Sequence, residues 1–204
     1  QARTPEEIRA AARAGNRAIV FSFNSVPHGP LNTFEEAAAP LRTAWQAGVR
    51  MMHLAYNRRN LIADGCMERA DGGLSEFGHD LLRRMNEVGL IADLSHAGRR
   101  SALDTARASA RPVVASHTAC RALFDHPRAK TDEEMRAIAD TGGLVGIYHV
   151  ASFLGRNADI RTWLDHVDHA VQVAGIDHVA VASDTGYIVP FPGDVAPCDR
   201  LRDM

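Results

Sequence analysis

The chain has 204 residues, enough for one sizeable domain, and its 46% hydrophobic and 24% charged content is ordinary for a soluble globular fold. A formal net charge of −2 gives no reason to expect nucleic acid or an anionic membrane as partner, and no apolar run approaches the ~20 residues needed to span a bilayer. Cys66, Cys120 and Cys198, odd in number and without C-x-x-C spacing, argue against a disulfide framework and a cysteine-type zinc site. They read as free thiols in a reducing, cytoplasmic compartment.

In chain order, short apolar runs alternate with helical stretches. Ala18 to Phe23 is the first strand-like run, followed by a helix pattern from Thr33 to Ala47 that stops at Gly48. The second run is Val49 to Leu54. A connection rich in Asn, Arg, Asp and Gly then leads to a helix from Ser75, a suitable N-cap, to Val88, closed by Gly89. Leu90 to Leu94 is the third run, and a helix from Arg99 to Ser109 follows. Pro112 to Ser116 is the fourth, separated by a long loop from a helix over Asp132 to Asp140. Leu144 to Tyr148 is the fifth, then a helix from Ile160 to Ala174 closed by Gly175, and His178 to Ser183 is the sixth. Ile188 to Met204, with three prolines and a glycine, reads as an irregular loop.

Strand–helix repeated six times, with near-continuous apolar strands, describes a parallel α/β sheet buried on both faces. Glycines just before several strands (Gly48, Gly89, Gly143, Gly175) fit helix C-caps at one end of it. An open doubly wound sheet and a closed barrel both remain possible, although no G-x-G-x-x-G follows the first strand to support dinucleotide binding.

Polar residues collect at the C-terminal ends of these runs, the side on which parallel α/β folds build their sites. Asn24 ends the first, Asp93 and His96 the third, Ser116 and His117 the fourth, Ser183 and Asp184 the sixth. Two imidazoles and a carboxylate from different strands suit a divalent metal with a neighbouring base. A single strand-end histidine is more often simply hydrogen-bonded; the metal reading rests on the pair together with Asp184. His166 and His169 share a helix face and read as packing or surface groups. His28, His53, His79, His126, His149 and His178 carry no pattern.

Longer motifs narrow the choice. Gly48-Val49-Arg50 with Leu54 and Asn57, Gly73-Leu74-Ser75-Glu76-Phe77-Gly78, Met85-Asn86-Glu87-Val88-Gly89, Asp93-Leu94-Ser95-His96, Ser116-His117-Thr118, and Gly175 to Val179 leading to Ser183-Asp184 together resemble the membrane (renal) dipeptidases, over about residues 8 to 187. The resemblance implies a (β/α)8 TIM-type barrel, hydrolysis of dipeptides by a water that the metal activates, and a centre of one or two zinc ions. It places His96 and His117 as zinc ligands, Asp184 as the catalytic proton shuttle, and Arg128, eleven residues after His117, as the holder of the substrate carboxylate.

Two departures stand out. Asn24 falls where the family has a bridging glutamate, and a neutral amide cannot compensate two cations as a carboxylate does; Asn24 is a doubtful ligand and a second ion is in question. Tyr56 falls where the family has a histidine that polarises the substrate; its hydroxyl can still donate to an oxyanion. The family's first-strand His-x-Asp has no counterpart before Asn24, and the six runs match strands three to eight of the barrel, the first two missing. The expectation is therefore a single barrel domain over 1–204 that is a fragment of a longer chain, in keeping with a first residue of Gln1, or one that recruits another chain, as in a homodimer. Two rivals stand beside the dipeptidase: a mononuclear amidohydrolase acting on another small amide, favoured by Asn24, and a catalytically silent binding relative, favoured by the missing His-x-Asp.

Overall fold

A computed structural model of the chain describes residues 1–26 and 34–184; Thr33, Cys198 and the expected loop over Ile188 to Met204 lie outside them. The elements are α1 (Pro5–Arg13), β1 (Phe21–Phe23), α2 (Phe34–Gln46), β2 (Val49–His53), α3 (Glu76–Val88), β3 (Ile91–Asp93), α4 (Arg99–Ala108), β4 (Val114–Thr118), α5 (Asp132–Asp140), β5 (Leu144–Tyr148), α6 (Ala151–Leu154), α7 (Ile160–Ala174) and β6 (Val179–Ala182). All six expected strands are present, within a few residues at their ends. The short α6 and α1 were not expected. The start of α1 is nonetheless written in the chain: Thr4 caps it through Glu7 N–H, Pro5 occupies its first turn, and Glu6 and Glu7 face its positive end.

The strands form one parallel sheet in the order β1-β2-β3-β4-β5-β6. A sheet wound in strict sequence, with right-handed crossovers, carries its helices on one side and curves into a barrel; a doubly wound sheet would reverse direction. The described sheet is thus six strands of an incomplete TIM-type barrel, with β1 and β6 as its edges. Burial follows position. Val145, Ile147 and Tyr148 of β5 are fully buried, whereas Phe21 and Phe23 of β1 are 45% and 41% exposed and Val181 of β6 is 67% exposed. The expectation of strands buried on both faces therefore holds in the middle of the sheet and fails at its edges, where each strand has a single neighbour. Leu41, Met52, Leu81, Met85, Met135 and Ile138 join strands and outer helices into one core.

The glycine reading needs one correction. Gly89 has φ of 90° and caps α3 as expected, but after α5 the left-handed residue is Gly142, at 79°, not Gly143. Gly143 is required for a different reason: a Cβ there would lie 1.8 Å from the Val113 carbonyl oxygen, where β5 passes β4.

Two polar ties hold the loops at the C-terminal end of the sheet. Gly98, the N-cap of α4, has no side chain to offer, and Asp71 from the preceding long loop supplies the missing acceptor to Arg100 N–H at 2.6 Å and to the Ser101 hydroxyl at 2.9 Å. Lys130 and Glu134, both buried, pair at 3.0 Å, and Lys130 Nζ also donates to the Ala97 carbonyl at 2.8 Å. That lysine fastens the segment after His96 to α5. Lys130→Met should cost about 3–5 kcal/mol, because it leaves the Glu134 carboxylate buried without its cation. Urea unfolding reads this directly, and an unchanged midpoint would show that the pair contributes no such tie.

Candidate metal centre

The histidines meet where the strands end. His53 closes β2, His96 lies three residues beyond β3, and His117 lies within β4. One ring nitrogen from each falls within 4.8 Å of the other two, and His96 Nε2 is 3.0 Å from His117 Nε2. Sequence reasoning brought His96 and His117 together but left His53 among the unpatterned histidines. It ends its strand as they do, and the pairing of β2 with β3 is what brings it to them.

Tyr56, Asp184 and Arg128 lie against this cluster, and Asn24 lies in a cleft beside Tyr56. Tyr56 stacks on His96, ring centroids 4.0 Å apart. Asp184, just beyond β6, places Oδ1 3.9 Å from His117 Nε2 and holds a left-handed backbone with φ of 50°. Asn24 follows β1 and lines, with Tyr56, Arg58 and Asn60, a cleft of ≈ 450 Å³. Arg128 is not a solvated loop arginine: it is buried and donates to the carbonyls of Ser95 and His117. The remaining described histidines with mapped partners serve elsewhere. His166 is buried and bonds Cys120 N–H and the Leu154 carbonyl, and His169 pairs with Asp132 at 2.8 Å.

Burial, with Arg128 and the neighbouring imidazoles adding to it, pushes the His96 ring far below the ordinary histidine range, so it is neutral. Burial lowers His117 as well, to about 4, against the opposing pull of Asp93. Burial raises Asp184, although Arg128 and His53 act the other way. For Asp93 burial acts upward, and His53 with donors from Ser116 and Ser95 overcomes it, so the group lies below its usual value. The site thus holds neutral imidazoles between two carboxyl groups of different character.

Hydrogen-bond bookkeeping tests whether a cation fits. His53 Nδ1 lies 3.1 Å from the Phe23 carbonyl, which can only accept, so Nδ1 carries a proton. That Nε2 faces Asp93 Oδ2 at 3.4 Å, and both atoms are buried with no hydrogen-bond partner. A positive charge there, carried by a proton on Nε2 or by a metal ion, would satisfy both atoms. His96 Nδ1 donates to Asn57 Oδ1 at 2.8 Å, which leaves its Nε2 unprotonated. Imidazole nitrogens converging from three strands are what a divalent cation satisfies, and three imidazoles are a known catalytic donor set. The residues present fit a metal.

The model of the membrane dipeptidase family (peptidase family M19) matches residues 1–201. A Klebsiella pneumoniae protein of the region 5' to pqqA is 34% identical over 182 residues, covering 82% of this chain and 67% of that protein. A dipeptidase of Schizosaccharomyces pombe is 31% identical over 170 residues, 80% of this chain but 42% of its own length. Among solved structures, an amidohydrolase from Pseudomonas aeruginosa has a TM-score of 0.81 at 34% identity, covering 91% of this chain and 56% of that one. A metallo peptidase from Rhodobacter sphaeroides, liganded with a phosphinate mimic of the dipeptide L-Ala-D-Ala, has a TM-score of 0.78 at 26% identity, covering 97% of this chain and 56% of that one. The chain spans a little over half the length of these two structures.

The geometry predicts that His53 contributes as much to metal binding as His96 and His117 do. His53→Ala should weaken zinc or cobalt(II) binding by more than the ~10–100-fold typical of losing an outer partner, read by chelator competition. Binding unchanged by His53→Ala would remove it from the ligand set.

Proposed function

The chain belongs to the membrane dipeptidase family, peptidase family M19, and from that membership we propose that it hydrolyses dipeptides at the His53, His96 and His117 centre with one zinc ion. The carrying observation is the convergence of three imidazoles within 4.8 Å of one another, with the Asp184 carboxyl 3.9 Å from His117. Bound there, the ion would supply Lewis acidity, acidifying water and polarising the scissile carbonyl.

The chain's own residues complete the proposed reaction. Asp184 is the base that takes the proton of the attacking water and returns it to the departing amine; its burial makes it a better base than an exposed aspartate. Tyr56, 48% exposed and stacked on His96, is free to turn its hydroxyl toward the developing oxyanion. Arg128 receives the substrate carboxylate with the N–H groups it does not give to Ser95 and His117. Asn24 borders the substrate cleft rather than binding the ion. A dipeptide mimic bound by the Rhodobacter sphaeroides metallo peptidase supports a substrate of this size.

A second reading, a mononuclear amidohydrolase acting on another small amide, is favoured by one feature: the clustered donors are all imidazoles, and the position of the expected bridging carboxylate is Asn24. No helix among the described residues is long and apolar enough to cross a membrane, and Cys66 and Cys120 are unpaired thiols, which supports a reducing, cytoplasmic location.

Amine release from a panel of dipeptides, with zinc added, tests the proposal. Asp184→Asn should retain metal and lose turnover by about 10²–10⁴-fold, the range for a general acid–base group. Cleavage of other small amides but no dipeptide would favour the second reading, and no cleavage of either by the zinc-loaded protein would favour a silent binding relative. Arg128→Ala should raise KM, and the penalty should shrink for substrates amidated at the C-terminus. Equal penalties on free and amidated substrates would confine Arg128 to its two backbone carbonyls.

A further inference from the structure

A chain of hydrogen bonds runs from the buried Asp93 to the ring of His117. Asp93 Oδ1 accepts from the Ser95 hydroxyl at 2.6 Å. Ser95 Oγ accepts from His117 N–H at 3.0 Å and lies 3.2 Å from Ser116 Oγ. Ser116 Oγ in turn lies 2.8 Å from His117 Nδ1. Asp93 also accepts from Ser95 N–H and Ser116 N–H, both at 3.1 Å, which fixes its orientation.

Counting protons gives this chain a direction. An ionised carboxylate only accepts, so the single Ser95 hydroxyl proton is committed to Asp93. Ser95 Oγ can then only accept from Ser116, and Ser116 Oγ, having given its proton away, accepts from His117 Nδ1–H. His117 is left with a lone pair on Nε2, 3.0 Å from the lone pair on His96 Nε2. The opposite arrangement gives the Ser116 proton to Nδ1 and protonates Nε2; it satisfies the two imidazoles but leaves Ser95 and Ser116 oxygens 3.2 Å apart with no proton between them. Without a cation each arrangement contains one unfavourable contact. With a cation between the imidazoles, the first satisfies every group.

We infer that Asp93 is a positioning residue for metal binding, acting through Ser95 and Ser116 to hold the proton of His117 on Nδ1 and turn Nε2 to the ion. This inference rests on the histidines being metal ligands and deepens that reading; it requires nothing about the substrate. Its effect is on which nitrogen of a neutral ring is free, which a carboxylate two hydroxyls away controls without touching the metal.

The experiment uses the protein with zinc, read by chelator competition and by long-range ¹⁵N–¹H NMR of the imidazoles, with no turnover assay. Zinc-loaded wild type should show His117 protonated on Nδ1. Ser116→Ala should lose about 10–100-fold in zinc affinity with unchanged circular dichroism, Ser116→Thr should restore it by returning the hydroxyl, and Asp93→Asn should lower affinity and shift the His117 pattern together. Zinc-loaded wild type with His117 protonated on Nε2, or Ser116→Ala with full affinity, would overturn the relay. A wild type that binds no zinc would overturn both the relay and the proposed activity. Zinc binding with this dependence in a protein that cleaves no dipeptide would support the relay and sink only the activity.

Discussion

The buried carboxylate of Asp93 is the point on which the site depends. It sits at the end of β3 and is 1% exposed, and it touches its neighbours on both sides: His53 of β2 at 3.4 Å and the Ser116 N–H of β4 at 3.1 Å. An ionised group in such a place is tolerated only when donors and charge surround it. Here three donors converge on one oxygen, while the other oxygen faces His53 Nε2 without a hydrogen bond. The half that is satisfied orients the β3–β4 junction; the half that is not marks where positive charge belongs.

Arg128 complicates the electrostatics in an instructive way. A buried guanidinium close to three imidazoles opposes their protonation, and it contributes to the lowered range of both His96 and His117. It is anchored to the carbonyls of Ser95 and His117, the same two residues through which the Asp93 chain passes. One arginine therefore braces the backbone around His96 and His117 and adds to the burial that keeps these two rings neutral. A substrate carboxylate arriving nearby would meet a cation whose orientation is already fixed, which lowers the ordering cost of binding.

The alternation of strand and helix was legible because buried strands and capped helices leave local marks: the Asp132–Asp140, Leu144–Tyr148 and Ile160–Ala174 boundaries agree residue for residue with expectation. Strand-end polarity likewise pointed to His96, His117 and Asp184. What was not legible depends on neighbours remote in the chain. Edge exposure of Phe21 and Val181 reflects which strands pair, not their composition. Asp71 caps a helix 28 residues downstream of itself, and Gly143 is a glycine because the Val113 carbonyl approaches it. His53 was hidden for the same reason: within Val49-Arg50-Met51-Met52-His53 it looks like one polar residue after an apolar run, and only the sheet brings it to His96 and His117.

His53 and Asn24 are best understood together. Asn24 follows β1 where the resemblance to the dipeptidases implies a carboxylate, and an imidazole ends the adjacent β2, the two strands pairing at Phe23 and Met52. Exchanging a bridging anion for a neutral donor changes how much positive charge the site can hold. Two carboxyl groups touch the three clustered histidines, Asp93 beside His53 and Asp184 beside His117, and their combined charge balances one divalent ion. A second ion would have to share the pocket with the first and with the Arg128 guanidinium, and like charges at such separations repel by several kcal/mol at an effective dielectric of about 20. Charge balance of this kind is what the proposal of a single ion rests on, together with a neutral Asn24 where the resemblance implies a carboxylate.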